Sequence, residues 1–251
     1  HVRSRRQRQM CIRDRDNPIL ECELPVDGSR FEALIPPVVA TPTFTIRKKA
    51  IKIFTLDDYI KSEILTPKQK QIIEKAILER ENILIVGGTG SGKTTFANAI
   101  IAGITRLTPE HRIIIIEDTA ELQCASKNKV VLRTSDKADM LRLLKATMRL
   151  RPDRIIVGET RGKEALDLLK AWNTGHPGGI ATVHANSAYG GLTRLEQLIS
   201  EVSTTNMSEL IAEAVNLVVF IKKTNNGRKI KEIIKISGFN NENKKYIFNQ
   251  I

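Results

Sequence analysis

The chain has 251 residues with a formal net charge of +12, and 41% of it is hydrophobic but only 4% aromatic. That suffices for one large domain, or one domain plus a fragment, with an aliphatic α/β core and few rings for stacking on bases. No apolar run approaches the roughly 18 residues of a membrane span, so any membrane association is peripheral. No apolar segment follows the basic N-terminus as a signal peptide requires. Cys11, Cys22 and Cys124 show no metal-ligand spacing and read as reduced thiols.

Residues 1–16 are basic and aperiodic, with Arg3, Arg5, Arg6, Arg8, Arg13 and Arg15, and read as disordered or foreign to the fold. Residues 17–54 read as strands and turns. Asp27-Gly28 signals a tight turn, 30–35 alternates until Pro36-Pro37 stops it, and 43–47 alternates again. These elements are too few to bury a core, so the segment is expected to be the remnant of a smaller α+β N-terminal domain. Residues 55–80 form a linker with two helix starts, at Thr55 and at Thr66-Pro67 with Gln69 at the third helical position. From 81 to 251 short apolar strands alternate with helices. Strands are expected at 82–86, 112–118, 129–134, 154–159, 179–185 and 217–223, and helices at 93–106, 137–150, 163–173, 192–202 and 207–215. A hairpin at Asn225-Asn226-Gly227 and an edge strand near 246–248 close the chain. The pattern predicts an α/β fold with a mainly parallel sheet covered on both faces.

Chemistry concentrates first at Gly87-Gly88-Thr89-Gly90-Ser91-Gly92-Lys93-Thr94, between the apolar run 83–86 and a helical segment. The spacing G-x-x-x-x-G-K-[ST] is that of a phosphate-binding P-loop. Glycines let several backbone N–H groups converge on phosphate oxygens, and the helix N-terminus adds its positive dipole end. Lys93 suits the β/γ-phosphates of a nucleoside triphosphate and the Thr94 hydroxyl suits Mg²⁺. The Mg²⁺ shell and the attacking water need carboxylates, and two strand ends offer them: Glu117-Asp118 followed by Glu121, and Glu159. His176 and His184 flank one predicted strand, either as phosphate sensors or inter-subunit contacts, or as ordinary hydrogen-bonded histidines. Arg149, Arg151, Arg154 and Arg161 crowd the second acidic strand and Arg133 ends the one before. Each is a candidate transition-state cation or a partner of surface carboxylates.

In this order, the loop at 87–94, the acidic segment 113–122, the segment 154–161 and the histidine segment 174–186 resemble the Walker A, Asp box, Walker B and His box of the secretion ATPase superfamily. Gly87–Thr95, the run Leu150-Arg151-Pro152-Asp153-Arg154-Ile155-Ile156-Val157-Gly158-Glu159, and Pro36-Pro37 followed by Phe44-Thr45-Ile46-Arg47-Lys48 resemble the conjugative-transfer branch called TrbB. The resemblance implies a RecA-like domain, ATP hydrolysis with Mg²⁺, a homo-oligomeric hexameric ring, and work on the cytoplasmic face of the inner membrane for pilus assembly or export. It implies Glu121 as the residue that polarises water, Glu159 as the Walker B acid beside Thr94 at the metal, His176 and His184 as the histidine pair, and Thr95 and Arg47 near the nucleotide. Most of the family's N-terminal domain is expected to be missing. Glu117-Asp118-Thr119 in place of Glu-Asp-Pro, and too few cysteines for a four-cysteine zinc module, favour the conjugation branch over pilus retraction or type II secretion motors. A GTPase reading lacks its base-reading motif. A nucleic-acid-binding protein with an ATP-dependent switch stays open as the reading of another class, since the charge permits it.

Overall fold

The computed structural model describes residues 17–25, 27–48 and 52–251, and the chain divides into two compact units between 51 and 52. The basic segment 1–16 lies outside the described residues. The first unit holds three antiparallel strands, β1 (Ile19–Glu23), β2 (Arg30–Leu34) and β3 (Thr43–Arg47), in that order. The turn between β1 and β2 forms because the Asp27 carboxylate accepts the Ser29 backbone N–H at 2.9 Å and Gly28 adopts φ 70°. β1 and β3 are exposed along their whole length.

The second unit opens with α1 (Leu56–Lys61) and α2 (Pro67–Leu78). Thr55 with Asp58, and Thr66 with Gln69, form reciprocal capping boxes, so both helix starts lie where their side chains satisfy orphan N–H groups. An eight-stranded sheet follows. Its strands are β4 (Ile83–Val86), β5 (Ile113–Glu117), β6 (Lys129–Arg133), β7 (Arg154–Val157), β8 (Ile180–Val183), β9 (Leu217–Thr224), β10 (Gly227–Asn240) and β11 (Lys245–Gln250), in the order β11-β10-β9-β4-β8-β7-β5-β6. All neighbours from β9 to β6 are parallel, and the β11–β10 and β10–β9 pairs are antiparallel. The helices are α3 (Lys93–Leu107), α4 (Met140–Thr147), α5 (Glu164–Asn173), α6 (Ala188–Ser200) and α7 (Ser208–Ala214).

Strand side chains alternate between two cores. Ile83 and Ile85 pack with α2 and α3, whereas Leu84 and Val86 pack with α5 and α6. Burial on both faces explains the nearly unbroken apolar runs of β4, β5 and β7. Parallel pairing aligns the C-terminal ends of these strands along one edge, where ligands bind in open α/β sheets.

Two helix starts differ from the sequence pattern by three or more residues. The helix expected over 137–150 starts at Met140, because the Asp139 carboxylate accepts the Arg142 N–H at 2.8 Å, and it tightens into a 3₁₀ turn over Met148–Leu150. The helix expected from 192 starts at Ala188 instead, after Ser187 caps Gly190. Gly190-Gly191 hides this start in the sequence. A Cβ on Gly191 would lie 2.5 Å from Val86 Cγ2, so glycine lets α6 approach β4.

Arg154 is fully buried at the start of β7. It donates to His111 Nδ1 at 2.9 Å, Gly178 O at 2.9 Å and Ile77 O at 2.7 Å. Burial, aided by the positive charge of Arg80, pulls its pKa down to about 10. The cluster needs a neutral His111 acceptor. Burial, then the Arg154 charge, depresses the His111 pKa below its usual value. Such a group contributes stability that is complete above the unfolded histidine value, about 6.5, and is lost as pH falls below it. The melting temperature is therefore expected to fall between pH 7 and pH 5. His111→Gln, which keeps an acceptor but does not titrate, should flatten that fall when melting is followed by circular dichroism.

Candidate functional site

The loop 87–92 leaves β4 and enters α3, whose N-terminus has no side-chain cap. Its first N–H groups are thus aimed at whatever occupies the loop. Gly92 adopts φ 97°, a conformation that favours glycine. A Cβ on Gly87 would lie 2.5 Å from the Ile221 carbonyl oxygen, so the loop lies against β9. Lys93 is 7% exposed. Its Nζ donates to Gly87 O at 2.8 Å, Gly88 O at 3.1 Å and His184 Nδ1 at 3.2 Å. Burial pulls the Lys93 pKa below its usual value, and the Glu159 charge opposes this.

Glu159 lies just past β7, and His184 directly follows β8. Thr182 binds the two strand ends together: its hydroxyl donates to Gly158 O at 2.8 Å, and its carbonyl accepts from Thr160 N at 2.9 Å. His184 Nε2 comes within 2.6 Å of Glu159 Oε1, out of line for a good hydrogen bond but close as a polar contact. The other carboxylate oxygen of Glu159 accepts from Arg161 Nε at 2.8 Å and from Arg161 Nη2. An ammonium can only donate, so the neutral His184 ring accepts from Lys93, whose Nζ lies 3.2 Å from Nδ1 and 3.5 Å from Nε2. Burial and the Lys93 charge depress the His184 pKa, which keeps this ring neutral near pH 7. Lys93, His184, Glu159 and Arg161 thus form one polar chain at the mouth of the loop.

The first acidic segment divides its labour. Glu117, at the end of β5, is buried, and its carboxylate accepts the N–H groups of Glu121 and Leu122, each at 2.9 Å. It therefore holds the loop that presents Glu121. Asp118 accepts from the Thr134 hydroxyl at 3.0 Å. Asn98, buried on α3, donates to Glu121 O at 3.1 Å and accepts from Gln123 N at 2.8 Å, tying that loop to the P-loop helix.

The oxygen donors suit a hard cation: the Thr94 hydroxyl follows Lys93 on α3, and Glu159 supplies a carboxylate. Among the described residues no group of three or more His, Cys, Asp or Glu could hold a metal ion by itself. Mg²⁺ is usually bound by one or two protein groups together with substrate phosphates. The cradle also fits phosphate. No atom lies within 4 Å of where a Cβ would stand on Gly88 or Gly90, and the buried Ser91 hydroxyl has no partner.

His176 is not brought into this group. It lies before β8, at the N-terminal edge of the sheet, and its Nδ1 meets Pro152 O at 3.1 Å. A parallel strand separates its ends by its own length, so two histidines flanking β8 point to opposite edges. Arg154 serves the buried cluster. Arg47 ends β3 in the first unit. Two site residues carried no sequence signal strong enough to single them out. Asn98 is a polar residue on the buried face of an apolar helix, a pattern that could have flagged it. Arg228, on β10, lies with Cδ 2.9 Å from a Cβ built on Gly92 and Nη2 3.4 Å from Gly90 O; nothing local distinguishes it from its basic neighbours.

The family model described as "Type II/IV secretion system protein" matches residues 6–241. A conjugal transfer protein TrbB of Rhizobium radiobacter is 57% identical over 228 residues, covering 91% of this chain and 71% of that protein. The crystal structure of the VirB11 ATPase from the Brucella suis type IV secretion system, in complex with sulphate, is 28% identical with a TM-score of 0.62, covering 88% of this chain and 76% of that one. The pilus retraction motor PilT with bound ADP shares the fold, with a TM-score of 0.67 at 21% identity, over 100% of this chain and 67% of that one. The sheet is therefore the mainly parallel, RecA-like α/β sheet of these ATPases, and the chain belongs to the type II/IV secretion system protein family, as a homologue of the TrbB conjugal transfer proteins.

Proposed function

We propose that this chain hydrolyses Mg-ATP as the motor of a conjugative type IV secretion system, coupling turnover to pilus assembly or to export of DNA or protein. The observation that carries the reading is the polar chain Lys93–His184–Glu159 at the mouth of the P-loop. Gly87 to Thr95 hold the triphosphate through backbone N–H groups, the Lys93 ammonium and the Thr94 hydroxyl. Thr94 and Glu159 hold Mg²⁺, which when bound supplies charge for the phosphate oxygens. Glu121 orients and polarises the attacking water. His184, neutral and held between Lys93 and Glu159, reports phosphate occupancy by exchanging Lys93 as a partner. Arg161 and Arg228 lie close enough to carry compensating charge, and such cations contribute about 10³–10⁵ in rate when they reach a transferring phosphoryl group.

Residues 17–54 belong, in this reading, to a smaller N-terminal domain, with Arg47 facing nucleotide in the assembled protein. Six copies form a ring on the cytoplasmic face of the inner membrane, bound peripherally to the secretion machinery. Among the described residues no helix is long and apolar enough to cross a membrane. Native mass measurement with and without ATP and Mg²⁺ tests the assembly. A hexamer favoured by Mg-ATP is the expected result. A chain that stays monomeric in both conditions while hydrolysing ATP at full rate would refute the ring motor.

A further inference from the structure

The N-terminal edge of the sheet carries a second basic recess that the motor chemistry leaves unused. It is a cavity of about 910 Å³, and Arg80, Arg112, Arg149, Arg151 and His176 line it. Asp153 is the one carboxylate among the described residues that line it, and its Oδ2 already accepts the Arg112 backbone N–H at 2.7 Å.

The guanidinium groups are only partly engaged. Arg80 Nη2 donates to Asp153 O at 2.8 Å and Arg112 Nη1 to Asn128 Oδ1 at 3.0 Å. The Nε atoms of Arg80 and Arg112 are both buried and without a partner. A buried, unpaired N–H on a charged group is costly, and native proteins keep few of them. Arg151 adopts φ 53°, a conformation rarely taken by side-chain-bearing residues, directly after the 3₁₀ turn that carries Arg149. His176 donates from Nδ1 to the Pro152 carbonyl, which can only accept, so the arginines are the recess's anion donors.

We propose that this recess is a second anion site, for a soluble ligand with two or more phosphate groups. Guanidinium groups match phosphate oxygens through paired N–H donors. Four arginines against one engaged carboxylate call for more than one negative charge. The volume is ample for a small oligophosphate, and the sheet separates the recess from the P-loop edge. The lining presents no aromatic ring besides His176 for stacking bases, which argues against a single-stranded nucleic acid.

The test uses the full chain carrying Lys93→Ala, to weaken binding at the P-loop, with inorganic tripolyphosphate as the probe in calorimetry. Saturable binding is expected, and adding Arg149→Gln with Arg151→Gln should weaken it more than about tenfold. Both arginines are exposed, so the added pair should melt like its Lys93→Ala parent. Lys68→Gln with Lys75→Gln, exposed on α2, removes the same charge elsewhere and should leave binding within about twofold. No binding to the Lys93→Ala chain at millimolar probe, or equal weakening by the two pairs, would overturn the site.

Discussion

Lys93→Ala is expected to abolish measurable ATP hydrolysis without harming the fold. Among the described residues the ammonium is the one cation that both sits inside the loop and contacts His184. Removing a preorganised charged donor from a phosphoryl-transfer site costs about 3–4 kcal/mol of transition-state stabilisation, or roughly 10²–10³ in rate. Nucleotide affinity should fall as well, since the same charge binds the ground-state phosphates. Stability should move the other way or not at all. Burial depresses the Lys93 pKa, so folding already works against this charge, and its loss relieves that cost. Phosphate release by a ring-forming preparation, beside a thermal melt, separates the two effects. Hydrolysis within about threefold of the parent would remove the P-loop from the mechanism.

Glu159→Gln is expected to separate binding from turnover. Glutamine keeps the shape of the side chain and an acceptor for Arg161, but loses the negative charge that faces His184 and the proposed metal. Hydrolysis should fall by about 10²–10⁴, the range for removing an acid–base or metal-holding carboxylate. Binding of ATP, measured with a fluorescent analogue, should stay within a few-fold. Arg161 responds too. Its pKa is raised by the hydrogen bond to Glu159, so the substitution loosens an exposed guanidinium and frees it to move. If turnover survives Glu159→Gln but not Glu121→Gln, the metal-holding role passes from the β7 acid to the loop after β5.

Much of the architecture was legible because its signals are local. The capping boxes at Thr55 and Thr66 depend on residues three apart. The apolar runs of β4, β5 and β7 report burial on both faces. The P-loop is a contiguous motif whose glycines are set by backbone geometry. Where a local signal competed with another, reading failed. Gly190-Gly191 resembles a breaker, yet it begins α6 because Ser187 caps the turn and Val86 leaves no space for a Cβ. Asp139 shortens α4 because a carboxylate at a helix start outbids continued periodicity.

The site shows the same division more sharply. Local signals along the chain were enough to read a P-loop motif, two acidic strand ends beside it, and a mainly parallel α/β sheet. These follow from short-range spacing and side-chain chemistry. Which candidates meet depends on how the strands pair. The tertiary structure joined His184 to Lys93 and Glu159, sent His176 to the opposite edge, gave Glu117 the task of holding the Glu121 loop, and buried Arg154 in a structural cluster. The physical reason is that a strand's two ends lie at opposite edges of a sheet, while residues far apart in sequence share an edge through parallel pairing. Spacing along the chain records the first neighbour relation and is silent on the second.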